Sequence, residues 1–374
     1  MNTHGITIPE ELLPRDGRFG CGPSKVPQDA VERLARLAPT TLGTSHRQDA
    51  VRGLVARVRA GMARYFDLPE GYEVALGNGG ASLVWDAAAF QLIEERSWHA
   101  VLGEFSSKFA GLVGATPWLE EPVRAESAFG DRPAISGVSG VDATCLTHCE
   151  TSTGVEMDLQ RPQDGEEGAL VLVDATSAAG GLAFDPTQVD VYYFSPQKAF
   201  ASDGGLWLAL LSPAAIERIE RLAAQRHTPA MLDLGSALAN SRKEQTLNTP
   251  AVATLALLAD QVEALEAAGG LTEVDAACRA KAGLITQWAD ARDWAAPFVA
   301  DPAARSGVVT TIDLDERVPA ATVSQVLRSH GVLDTEAYRK LGRNQLRIGT
   351  FPAVDHADVE ALLAAIDHIA ERLA

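Results

Sequence analysis

Three short apolar runs follow one another between residues 170 and 211, LVLVDAT, VDVYYFS and GLWLALL, and each stops at a turn-permitting cluster. Runs of this length without polar alternation suit strands buried on both faces. Upstream, YEVAL and AVLGEF have the same character, and helical segments such as ASLVWDAAAFQLIEE lie between the runs. A parallel neighbour is reached only through a crossover, so strands alternating with helices imply a mostly parallel sheet under helical layers. The expected fold class is α/β.

Residues 26–40 and 48–66 carry helical apolar spacing. TPAVATLALLADQVEALEAAGG reads as a long helix with Thr249 as N-cap, Pro250 in the first turn and Gly269-Gly270 as the stop. LTEVDAACRAKAGLITQWADA continues as another helix. Past about residue 300 the order becomes strand GVVTTIDL, helix AATVSQVLRSHG, strand NQLRIGTF and a closing helix from HADVEALLAAI, the pattern of a smaller α+β unit. We expect a large domain over 1–270, its first ~18 residues an N-terminal arm, and a small C-terminal domain over 271–374.

Composition bears on function mainly by exclusion. The formal charge of −18, from 32 Lys plus Arg and 50 Asp plus Glu, argues against nucleic-acid binding but leaves room for a local basic pocket. The start MNTHGITIPEELLPRDG has no secretory pattern and no apolar run reaches the ~18 residues of a membrane span, so a cytoplasmic protein is expected. The cysteines Cys21, Cys145, Cys149 and Cys278 are too few and scattered for a disulfide framework. CLTHCE groups Cys145, His148 and Cys149, but no second ligand pair stands at zinc-like spacing, so no metal is expected.

The chemistry concentrates where buried runs end. Asp174 closes LVLVD before small residues, either as a cap for the next element or as a ligand partner at the carboxyl end of a strand. Lys198 follows the next run, 24 residues later, in a chain with only six lysines. It is either a surface lysine in a turn or a desolvated amine able to act as a nucleophile. A carboxylate and a poised amine at one crevice are what pyridoxal phosphate needs, the amine for its aldehyde and the acid for its ring nitrogen.

In ALGNGGASLVWDAAA a strand enters a glycine-rich turn and opens a helix, which suits a phosphate on backbone N–H groups. A dinucleotide fingerprint with Glu104 as the ribose acid is a weaker match because Ser82 stands at the third glycine, and a plain strand-to-helix turn is the third reading. GTSHRQ places His46 beside Arg47, and YRKLGRNQLRIGTF supplies Arg339, Lys340, Arg343 and Arg347, the last within a strand pattern. A guanidinium there is suited to a bidentate carboxylate.

Taken in order, RFGCGPSKVP, GTSHRQ, GNGGAS, ETSTGVE, VDATSAAGG, YYFSPQKAFASDGG, QTLNTPA and RNQLRIGTFPAV resemble the phosphoserine aminotransferase family, most closely its actinobacterial type. That family is a branch of the class V, fold-type I pyridoxal-phosphate enzymes. The resemblance implies pyridoxal 5′-phosphate as cofactor, joined covalently to Lys198, with Asp174 on the pyridine nitrogen. It implies that Gly80, Ala81 and Gln197 hold the phosphate and that Thr151 lies near the ring oxygen. Phe105 falls where many relatives stack a tryptophan, and Cys149 where relatives usually have asparagine. Asn248 and Thr249 are implied to reach the phosphate from a neighbouring subunit, making the active unit a homodimer. Arg47 and Arg347 are implied to bind substrate, with His46, Arg339 and Lys340 beside them.

The implied reaction exchanges an amino group between L-glutamate and 3-phosphohydroxypyruvate, giving O-phospho-L-serine and 2-oxoglutarate in serine biosynthesis. The family's phosphohydroxythreonine activity, on the route to pyridoxine, is a side activity to test. Rival readings are another class V enzyme, such as an alanine–glyoxylate aminotransferase or a cysteine desulfurase, and a non-catalytic nucleotide-binding protein. A desulfurase needs a late cysteine on a mobile loop, whereas Cys278 lies in a helical pattern. Only the enzyme should be yellow when purified.

Overall fold

The computed structural model of the chain describes residues 5–373. Its strands are β1 (Glu73–Gly79), β2 (Ser97–Val101), β3 (Val123–Glu126), β4 (Ala143–Thr147), the short pair β5 (Cys149–Glu150) and β6 (Val155–Glu156), β7 (Leu170–Asp174), β8 (Val191–Phe194), β9 (Gly205–Leu211), β10 (Ala295–Pro297), β11 (Val309–Leu314) and β12 (Gln345–Gly349). Helices α1 (Gln28–Thr41), α2 (Asp49–Tyr65), α3 (Ser82–Gln91), α4 (Glu104–Gly114), α5 (Pro213–Gln225) and α6 (Leu234–Ser241) precede the long α7 (Val252–Ala267) and α8 (Gly270–Asp290). Then come α9 (Ala320–Ser329) and α10 (His356–Leu373).

Seven strands form one sheet in the order β3-β2-β4-β7-β8-β9-β1. The pairs from β3 to β8 are parallel, and β9 runs antiparallel to both β8 and β1. The expected α/β class is therefore what the chain adopts. Successive residues of β7 face opposite sides: Val171 and Val173 join a core with α2 and α7, while Leu170 and Leu172 join another with α3, α5 and α6. Two-sided burial explains why the runs lack polar alternation. Leu172 is fully buried, and truncating it to alanine would cost roughly 2–5 kcal/mol.

A second, antiparallel sheet, β10-β11-β12, packs with α8, α9 and α10 around Ile285, Ile312, Val323, Leu346 and Ile366. Ile6, Ile8 and Phe19 from the N-terminal segment insert into this core. Helix α8 joins the two cores, giving Val274 and Cys278 to the first and Ile285 and Trp288 to the second.

Two local expectations need correction. AVLGEF is not one strand: β2 ends at Val101 and Glu104 opens α4. The fully buried Glu150 carboxylate accepts the Phe105 and Ser106 N–H groups there, which draws the backbone into a helical turn. Helix α7 begins at Val252, after Ala251 at the N-cap position, rather than with Thr249 and Pro250. The Thr249 carbonyl instead accepts from Asn78 Nδ2 at 2.8 Å, tying that segment to the end of β1. The stop at Gly269 holds, with a left-handed φ of 109°.

Candidate active site

The parallel register sets Thr147 beside Asp174 and Asp174 beside Tyr193, so the carboxyl ends of β4, β7 and β8 open on one cleft. Its volume is about 520 Å³. Lys198 enters it from the turn after β8 and is buried. Its Nζ donates to Thr151 Oγ1 at 2.8 Å and to Ser177 Oγ at 2.7 Å, and the two hydroxyls also contact each other. Among the described residues no carboxylate forms an ion pair with it. Removal from water is the main cause that pushes its pKa below the ordinary lysine value. The surface-lysine reading is thereby excluded.

Asp174 is buried at the end of β7. Its Oδ2 accepts from Trp85 Nε1 at 3.0 Å, and its Oδ1 accepts from the Thr176 N–H and hydroxyl at 3.0 and 2.7 Å. Thus it caps the following turn and also faces the cleft. Trp85 is carried by α3 and stacks on Phe109 with centroids 5.9 Å apart.

At the mouth of α3, Gly80 and Ala81 line the cleft, and their N–H groups donate to no carbonyl among the described residues. This is the anion-binding geometry of a helix N-terminus. Gly22 approaches from the N-terminal segment with φ +149°, and a Cβ there would lie 2.7 Å from Lys198 Cε. Gln197 lines the same wall, its Oε1 buried without a partner among the described residues. Phe105, at the start of α4, has its ring centroid 5.6 Å from Lys198 Nζ and 6.0 Å from the Tyr338 ring. Arg347 projects from β12; its Nη1 donates to the Thr151 carbonyl at 3.0 Å, and its Nε is buried without a partner among the described residues.

Other expected site residues do not reach this cleft within one chain. His46 is half-exposed and Arg47 exposed, as are Asn248 and Thr249. His46 Nδ1 lies 3.1 Å from Thr249 Oγ1, and Asn248 Nδ2 lies 3.2 Å from Met231 Sδ. Arg339 and Lys340 are exposed on a short helical turn, and Lys340 pairs with Glu104 outside the cleft. Glu104 is therefore occupied by Lys340 and, at 3.1 Å, Lys108. Four residues were missed by pattern reading: Trp85, Thr176, Ser177 and Tyr338. Each lies in a segment already singled out for chemistry, Trp85 in ALGNGGASLVWDAAA, Thr176 and Ser177 in DATSAAGG and Tyr338 in YRKLGRNQLRIGTF, but nothing in the spacing marked their contacts.

The CLTHCE cluster is dispersed into packing. His148 Nδ1 meets the Tyr192 hydroxyl at 3.0 Å, and burial pushes its pKa down to about 3. Cys149 Sγ lies 3.1 Å from Ser306 Oγ, with its pKa pushed up to about 12 by burial. Cys145 belongs to the core on the other side of the sheet. No group of three His, Cys, Asp or Glu residues is arranged for a metal ion among the described residues.

A desolvated lysine and a buried carboxylate at the carboxyl edge of this sheet suit an aminotransferase, and the chain belongs to aminotransferase class V, whose family model matches residues 139–335. A phosphoserine aminotransferase from Nocardioides sp. is 54% identical over 373 residues, covering 99% of this chain and 100% of the relative. One from Corynebacterium glutamicum is 53% identical over 364 residues, covering 97% and 96%. A solved phosphoserine aminotransferase from Cytophaga hutchinsonii superposes with a TM-score of 0.86 at 25% identity, covering 94% of this chain and 99% of that one. The chain belongs to the phosphoserine aminotransferase family.

Pyridoxal 5′-phosphate is the cofactor of this class. The cleft fits it: a desolvated amine, a carboxylate for the ring nitrogen and, among the described residues, unpartnered N–H groups for the phosphate and orphaned polar atoms on Gln197 and Arg347.

Proposed function

We propose that this protein exchanges an amino group between L-glutamate and 3-phosphohydroxypyruvate, forming O-phospho-L-serine and 2-oxoglutarate. The observation that carries this reading is Lys198, buried with no ion-paired carboxylate among the described residues and held by the Thr151 and Ser177 hydroxyls. When bound, pyridoxal phosphate supplies an aldehyde that takes the amino group and a ring that accepts an electron pair.

Lys198 would hold the cofactor through its aldehyde. Its amine, deprotonated more easily because it is desolvated, would be the base placed to take and return the substrate's α-proton. Thr151 and Ser177 keep Nζ within reach during that transfer. Asp174, its orientation set by Trp85 and Thr176, would keep the pyridine nitrogen protonated. The N–H groups of Gly80 and Ala81, with Gln197, would hold the phosphate, and Phe105 would flank the ring. Arg347 takes the substrate α-carboxylate.

In the same proposal, Asn248 and Thr249 of one protomer serve the phosphate in its partner, and His46 and Arg47 serve the substrate's distal anion. The contact between His46 and Thr249 supports this, since it joins the two loops outside their own chain's cleft. Phosphohydroxythreonine as a further substrate, a domain boundary at 270/271 and a cytoplasmic setting belong to the same reading. The start of α8 at Gly270 supports the boundary. No helix among the described residues is long and apolar enough to cross a membrane. A desulfurase is disfavoured, since Cys278 is buried in α8 and burial raises its pKa to about 11.

The test is a spectrophotometric titration of the purified holoenzyme. Glutamate should bleach the visible band of the bound cofactor, and phosphohydroxypyruvate should restore it. O-Phosphoserine should bleach it from the other side. A band that responds to alanine but not to O-phosphoserine would place the enzyme with a different class V activity.

A further inference from the structure

The segment before β12 does not present the residues that charge alone would select. Thr335 lies beside the strand, its carbonyl accepting the Arg347 N–H at 3.0 Å, and Glu336 bridges to Leu346. This pairing extends the small sheet by one irregular edge and carries the chain to Tyr338 on the Arg347 side of the cleft. The turn at Arg339–Leu341 then leads away, which sends Lys340 to Glu104. Tyr338 is the residue of this stretch that lines the cleft.

Its ring meets two groups of the site. The Arg347 guanidinium carbon lies 5.4 Å from the Tyr338 centroid, and the Phe105 ring meets it edge-on at 6.0 Å and 60°. The ring thus spans the gap between the group that faces the cofactor and the fork that takes a carboxylate. Arg347 itself has one donor on the Thr151 carbonyl and a buried Nε without a partner among the described residues. A guanidinium held at so few points can swing, and an aromatic face restrains it without consuming its remaining donors.

We propose that Tyr338 is a positioning residue for substrate recognition: its ring holds the Arg347 fork flat for bidentate capture of the α-carboxylate. The inference rests on the reading of Arg347 given above. Its ring, rather than its hydroxyl, is the working part, so Tyr338→Phe should keep kcat/KM for glutamate and phosphoserine within about threefold of wild type. Tyr338→Ala should lower kcat/KM for both by about tenfold, mainly through KM, because carboxylate binding is lost alike in ground and transition states. The visible band of the resting holoenzyme should stay in place, as the lysine and Asp174 are untouched. Tyr338→Leu, which preserves bulk, should behave like the alanine variant and serves if that variant folds poorly.

The decisive measurement is a double-mutant cycle with Arg347→Ala. If Tyr338 acts through Arg347, removing the ring in the Arg347→Ala background should cost less than twofold. An undiminished tenfold loss there would overturn the proposal, as would a phenylalanine variant no better than alanine, or an alanine variant with wild-type kinetics. Should Arg347→Ala alone leave both substrates unaffected, the carboxylate assignment itself fails, a result distinguishable from failure at Tyr338.

Discussion

Asp174 accepts hydrogen bonds only from donors: Trp85 Nε1, the Thr176 N–H and the Thr176 hydroxyl. An asparagine in its place would turn an NH2 group toward at least one of those donors and would also lose the charge that keeps a pyridine nitrogen protonated. We expect Asp174→Asn to lose at least about a hundredfold in kcat, roughly 2.7 kcal/mol of transition-state stabilisation, in steady-state transamination. Near wild-type turnover would reduce Asp174 to a turn cap. The two anion-binding arginines separate in the same way. Arg47→Ala should impair glutamate and phosphoserine but spare alanine, which has no distal anion, while Arg347→Ala should impair all three. Losing a charge-assisted bond costs about 1.5–3 kcal/mol, and kcat/KM for each donor reads it directly. Equal losses on alanine and phosphoserine in the Arg47 variant would reverse the pocket.

Among the elements, β2 and the end of β4 carry an acid sensitivity unrelated to catalysis. His99, within β2, is buried against Ser97 and Phe109, and burial pushes its pKa down to about 3, as it does for His148 just after β4. In the unfolded chain these rings take a proton near pH 6.5, so between there and about pH 3 the unfolded state binds more protons. Their contribution is therefore intact above about pH 6.5 and declines as pH falls. From pH 7 to pH 5 the loss should be on the order of 2 kcal/mol per histidine. Urea unfolding at the two pH values should show it, with a shallower decline in His148→Gln; equal slopes would mean that the ring is hydrated in solution. The helix α4 illustrates what a local pattern conceals. AVLGEF looks like a strand, but its last residues become helical because Glu150, distant in sequence, supplies the acceptor that the helix start requires. By contrast, β9 covers the whole run GLWLALL, since nothing but two-sided burial is needed to define it.

For the whole molecule the open question is how many chains build one site. His46, Arg47, Asn248 and Thr249 lie outside the cleft of their own chain, with Thr249 fastened to Asn78 at the end of β1 and to His46 across the gap. Mixing an inactive Lys198→Ala protein with an Asn248→Ala/Thr249→Ala double variant should restore activity after subunit exchange. A mixed dimer would pair one intact lysine with one intact phosphate grip. Exchange verified by mass spectrometry without recovered turnover would show that each chain completes its own site.

Local composition determined the elements buried on both faces and the residues at their ends. LVLVD and VYYF had to be interior strands, and the register of a parallel pair then set Asp174 and Lys198 at one edge. The ordered motifs also made the family legible, including Gly80 and Arg347. What stayed hidden depends on contacts between distant segments. Gly22 beside Lys198, Trp85 on Asp174, Ser177 on Nζ and Tyr338 over Arg347 carry no periodic signal. Arg339 and Lys340 attracted attention because charge is visible in a sequence, yet the edge pairing of Thr335 with Arg347 brings the aromatic Tyr338 inward and leaves both cations exposed outside the cleft, Lys340 on Glu104. Direction around a turn is a tertiary property: it is set by which strand the preceding residues pair with, and no spacing of residue types encodes it.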